Sequence, residues 1–381
     1  MLFLAGDIGG TKALLQLIEY DLDSLSATTI GQERYLCQNF DSLESIIHTF
    51  LSSYPSLLNS SSSVELACFG LPGPVSDRLV QLTNLPWMVD ALSIEQTCSI
   101  GSVSLVNDFY AAALGISVLT DEDFFSLYIP DGAPKLQSLT AAGHCLVIGA
   151  GTGLGVAPVF FDGKEYLPIS SEGGHFDFAP ISETQQTLLS WLWSQWEHVS
   201  YERVLSGPGL ETLYRFFQTF DCPETYSDTC SNACLCKTSQ NSNKNKQFDT
   251  QSIQCYSLVA DMLMEQDGDG LTAEEIYQAA ELGEPVAVKA LTEFVTIYGA
   301  FVGAVALVWN APHGIYLAGG IAQKMIHWLE KPYFQKAFLE KGRMSKVVAK
   351  MPVYIATDEE LGLKGAMHHN FVVWKDRKRE I

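Results

Sequence analysis

At 381 residues, 47% hydrophobic and 18% charged, the chain is long enough for two domains with a sizeable core. A formal net charge of −21 repels nucleic acid and anionic lipid, so neither is expected as a partner and any polyanion must bind at a local site. Nine cysteines, an odd number with no basic-then-apolar leader, point to reduced thiols and a cytoplasmic setting.

Leu2–Asp7 and Ala13–Glu19 are apolar enough for buried strands, and between them lies "GGTK". Helical spacing follows at Leu43–Tyr54, strands at Val64–Phe69 and Val103–Val106, and a helix at Phe109–Val118. Strands separated by helices predict an α/β layer with a mixed or parallel sheet. A second strand pair, His144–Ile148 and Leu154–Phe161, encloses "GAGTGLG" and repeats the opening plan, which suggests an internal duplication. From Phe220 to Ser252 the chain turns polar and cysteine-rich, as a surface insertion would. Helical patterns then run from Ser252 to Val308. The apolar run Phe294–Trp309 falls short of the ~20 residues of a membrane span and reads as a buried helix. The strand-like "GIYLA" leads into Gly319-Gly320, and a final helix starts near Gly365.

The turn after Leu2–Asp7 is neither a Walker A loop nor a dinucleotide fingerprint: its glycine spacing fits neither, and a strand follows it. An ordinary hairpin turn remains one reading. The other is a phosphate turn: Asp7 at the strand end holds Mg²⁺, directly or through water, while Gly9, Gly10, Thr11 and Lys12 wrap phosphate oxygens. Lys12 either neutralises a phosphate or points to solvent. The second turn, with Gly149, Gly151, Thr152 and Gly153, would cradle the other side of the polyphosphate. Gly319 and Gly320, lacking side chains, would admit a flat adenine.

The stretches "GDIGGTK", "LVNDFYAAALGI", "GAGTGLGVA", "SEGGHFDFAP", "HVSYERVLSGPGLETLYR", "YLAGGI", "AFLEKGRM" and "LGLKGA" occur in that order over nearly the whole chain. With them the chain resembles the bacterial-type glucokinases, within the superfold of sugar kinases, actin and heat-shock chaperones. The resemblance implies an α/β, two-lobed actin-like ATPase (ribonuclease H-like) fold with a duplicated β-sheet core and a cleft between the lobes. It places a small α/β domain at 1–120 plus 361–381 and a large α+β domain at 121–360, within which the composition alone marks 221–252 as a flexible insertion. It implies ATP-dependent phosphorylation of glucose to glucose 6-phosphate with Mg²⁺, by a homodimer. Asp108 becomes the base that takes the hydroxyl proton, although an aspartate there also suits a helix N-cap. Asn107, Glu172, His175 and Glu202 become the sugar contacts, where Glu172 and Glu202 alone would read as solvated charges.

In the related ROK sugar kinases a comparable histidine joins a cysteine motif to bind structural zinc. No Cys-x-Cys-Gly follows His175, and Cys222, Cys230, Cys234 and Cys236 lack paired spacing, so zinc is not expected. Two alternatives stay open: a related hexose kinase with another sugar or phosphoryl donor, and a non-catalytic sugar-sensing nucleotide switch. A sensor has no need of a carboxylate such as Asp108 at the attacking hydroxyl.

Overall fold

A computed structural model describes residues 1–21, 26–55, 63–131, 143–220 and 270–379. The opening apolar run forms β1 (Leu2–Ile8), which turns back antiparallel into β2 (Lys12–Asp21), with Asp7 opposite Leu14. A third strand, β3 (Ser26–Leu36), adds antiparallel to β2 at the sheet edge. The first helix, α1 (Leu43–Ser52), starts at a capping box between Ser42 and Ser45 and buries Leu43, Ile46, Ile47 and Phe50, spaced for one helical face. Strand β4 (Val64–Leu71) then pairs parallel with β1. The short hairpin β5 (Leu79–Gln81) and β6 (Met88–Asp90) leads to α2 (Ala91–Thr97). Strand β7 (Ser102–Asn107) pairs parallel with β4, giving a first sheet ordered β3-β2-β1-β4-β7.

After α3 (Asp108–Ile116) the chain enters a second sheet. Its strands are β8 (Phe124–Tyr128), β9 (Cys145–Ala150), β10 (Leu154–Phe161), β11 (Tyr166–Pro168), β12 (Ile315–Ala318) and β13 (Val353–Ala356). Their order is β11-β10-β9-β12-β13-β8. With edge strand β8 set aside, the pairings run antiparallel, antiparallel, parallel, parallel, the same sequence as in the first sheet. The duplication read from the two glycine turns therefore extends to five strands in each half.

The second sheet carries the larger core, filled by α4 (Glu183–Trp193), α5 (Gly207–Phe220), α6 (Ala273–Glu281) and α7 (Pro285–Val308). The expected apolar run is only part of α7, which at 24 residues is long and apolar enough to span a membrane. Yet 67% of its most apolar stretch is buried inside the protein. Its apolarity is used by the core, where Leu291, Phe294, Tyr298, Phe301 and Val302 are fully buried, each contributing about 1.5–3 kcal/mol for an aliphatic or phenyl side chain. A short helix, α8 (Gly320–Lys324), follows β12, and the chain ends in α9 (Leu361–Arg379), which begins four residues earlier than expected. Helix α9 returns to the first sheet, where Leu363, Ala366 and Met367 pack on Phe3, Ala5 and Ile18. The 221–252 insertion and its cysteines lie outside the described residues.

Candidate functional site

The parallel strands of both sheets end at one place. Asp7 lies at the end of β1, Asn107 at the end of β7, Ala150 at the end of β9 and Ala318 at the end of β12. Ligands of open α/β sheets bind beyond such carboxyl ends, because the turns there leave backbone groups unpaired.

Asn107 and Asp108 occupy the junction of β7 and α3. Asn107 is the N-cap: its Oδ1 accepts from the amides of Phe109 at 3.0 Å and Tyr110 at 3.2 Å. The cap reading of Asp108 is thus corrected. Strand pairing extends through Asn107, so that residue makes the turn and Asp108 opens the helix. Asp108 Oδ1 accepts from the Phe109 amide, at 2.8 Å. Burial pushes the Asp108 carboxyl from 3.8 up to about 6, the Phe109 amide opposes this, and the charges of Asp7 and Glu172 push it further. The next side chain, Phe109, crosses to the second sheet, where a Cβ on Gly149 would come within 2.7 Å of its ring. Gly149 and Gly155 are therefore small to admit that ring, and Asp108 is fixed between the sheets.

On one side of Asp108 is a cavity of about 350 Å³, within the range of small-molecule sites. Asn107, Glu172, His175 and Glu202 all line it, together with Gly9, Gly10, Gly151, Thr152, Gly153 and Gly319. Glu202, on the turn Tyr201–Arg203, accepts from the Leu154 amide at 2.9 Å. A Cβ on Gly153 would stand 2.7 Å from Glu202 Oε2, so the second glycine turn is shaped to let this carboxylate through. The turn Gly173–His175 closes on itself, His175 N donating to the Glu172 carbonyl at 3.0 Å, and both side chains are exposed to the cavity. Thr83 and Asn84 also line it, and no sequence motif marked them.

On the other side is a cavity of about 660 Å³ lined by Asp7, Arg34, Asp108, Phe109, Gly319, Gly320, Asp358 and Glu359. Burial pushes the Asp7 carboxyl up to about 6, against the charge of Arg34, which lowers it. Gly319 has φ of 86°, and a Cβ there would meet the Ala150 carbonyl at 2.9 Å, so only glycine fits. Thr11 and Lys12 line neither cavity, and Gly149 faces Phe109 and Ala318 instead. The cation facing Asp7 is Arg34, on the polar edge strand β3, which sequence patterning did not reveal.

The family model described as Glucokinase matches residues 4–371. A Synechocystis glucokinase is 35% identical over 370 residues, 96% of either chain. The crystal structure of glucokinase from an Antarctic psychrotroph is 26% identical with a TM-score of 0.69, covering 96% of this chain and 97% of that one. A ROK family glucokinase from Streptomyces griseus, solved with glucose and AMPPNP, shares the fold at 18% identity and a TM-score of 0.57, covering 96% and 98%. Two cavities meeting at one half-buried aspartate, glycine turns at three strand ends and near-complete coverage by the family model agree: the chain belongs to the glucokinase family.

Proposed function

We propose that this protein transfers the γ-phosphoryl group of ATP to the 6-hydroxyl of glucose, with Asp108 as the general base. The observation that carries this reading is that Asp108 lines both cavities. A base for phosphoryl transfer must stand where the hydroxyl meets the phosphate, and among the described residues no other titratable side chain borders both. Asn107, Glu172, His175 and Glu202 hold the sugar hydroxyls, and Asp108 takes the 6-hydroxyl proton as its oxygen bonds to phosphorus and ADP leaves. The glycine turns supply backbone amides to the phosphates. Asp7 fits a Mg²⁺ role: its carboxylate is a hard oxygen donor on the wall of the larger cavity. A bound Mg²⁺ would be held by Asp7, directly or through water, and would neutralise charge on the triphosphate.

The same reading gives the chain an actin-like, two-lobed architecture, with 1–120 plus 361–381 as the small lobe and 121–360 as the large. The return of α9 to the first sheet supports that division. It also gives a cytoplasmic homodimer. The test is ADP formation by purified protein with a panel of hexoses, each with ATP or polyphosphate. Turnover greatest with glucose and ATP is expected. Preference for another hexose or donor would make it a related kinase, and no turnover with any would leave the sugar-sensing alternative.

A further inference from the structure

We propose that Arg34 is a phosphate-binding residue, holding the triphosphate against Asp7 in the position that sequence reasoning offered to Lys12. This inference rests on the kinase reading and deepens it. Asp7 on β1 pairs with Leu14 on β2, and Leu14 pairs with Arg34 on β3, so the three residues form one row across the sheet. Directly paired residues point to the same face, which puts the Arg34 and Asp7 side chains on one side, two strand spacings apart. An arginine side chain spans most of that gap, and Leu14 between them is too short to block it.

Both residues line the larger cavity, and Arg34 is close enough for its charge to act on Asp7. The cavity wall also carries Asp108, Asp358 and Glu359. A polyanion entering such an acidic space needs fixed positive charge beside any metal ion. Among the described residues, the only other cation in the wall is Lys324, which is paired with Glu274 at 3.4 Å and is 69% exposed. Lys364, near the same wall, is paired with Asp358. Arg34 has no ion-pair partner among the described residues. Neighbouring contacts hold its strand in place: Gln32 donates to Glu360 at 2.6 Å, and Cys37 N donates to the Thr11 carbonyl at 2.9 Å. Its planar fork suits two phosphate oxygens at once, which a lysine cannot match.

The test is calorimetric binding of ATP with magnesium, and separately of adenosine, to wild type, Arg34→Ala and Arg34→Lys. Arg34→Ala is expected to weaken ATP about ten- to a hundred-fold, as loss of a charged hydrogen-bonding partner does, and to leave adenosine within twofold. Arg34→Lys should recover only part. Equal weakening of ATP and adenosine would mean that the substitution merely disturbs the edge strand, and unchanged ATP binding would remove Arg34 from the site; either overturns the proposal. Because binding is read without turnover, an inactive wild type would sink the kinase reading while leaving this comparison decisive.

Discussion

Asp108 is a carboxyl held where ionisation is costly, by burial and by the nearby charges of Asp7 and Glu172. Its pKa is higher in the folded chain than in the unfolded one, so its contribution to stability is fully present below about 3.8 and is lost as pH rises through about 6. Asp108→Asn cannot ionise, and its melting temperature should exceed that of wild type by more at pH 8 than at pH 5. The same variant should lose about 10²–10⁴-fold in kcat while binding glucose normally. In wild type, kcat/KM for glucose should fall below about pH 6 as the base is protonated. A near-normal rate in Asp108→Asn would leave the residue as an ordinary first residue of a helix. Glu202 differs, because one oxygen is committed to the Leu154 amide and the other is left for a ligand. Glu202→Gln should raise the KM for glucose by the equivalent of about 1–3 kcal/mol and change that for ATP little. An equal rise in both would assign Glu202 to shaping the glycine turn rather than to holding sugar.

Helix α3 sets the position of Asp108, and it does so by sending Phe109 onto the second sheet. A Cβ on Gly155 would run into the Phe109 ring, so Gly155→Ala should destabilise the fold by about 1–3 kcal/mol through overpacking. Adding Phe109→Leu should recover part of that loss in thermal melts; no recovery would place the strain elsewhere. Elements with a buried apolar run between glycine turns, such as β1, β2, β9 and β10, were legible in the sequence because both their content and their ends are marked. Strand β3 was not, because an edge strand exposed along most of its length has no apolar pattern, and Arg34 stayed hidden with it. For the same reason the sequence offers Lys12, within the motif, as the charge at the phosphate side, and not a residue across the sheet. Adjacent Asn107 and Asp108 are equally good caps by composition, and only the length of β7 decides between them.

Across the whole molecule, the smaller cavity is built by both halves. Gly10, Pro72, Asn84 and Asn107 come from the first sheet and its loops, and Gly153, Glu172, His175 and Glu202 from the second. The two sheets have largely separate cores, joined chiefly through α3 and α9. A ligand that touches both walls therefore adds contacts between parts that are otherwise joined by few elements, and it can bind only when both are folded. Glucose at a hundred times its dissociation constant should stabilise the native state by about 2.7 kcal/mol, raising the melting temperature in a concentration-dependent way. The shift should persist in Asp108→Asn, which keeps the sugar contacts, and shrink in Glu202→Gln at the same glucose concentration. Glycerol at equal osmolality controls for solvent effects. If glucose moves the melting temperature no more than glycerol does, or moves Glu202→Gln as much as wild type, the cavity between the halves does not hold the sugar.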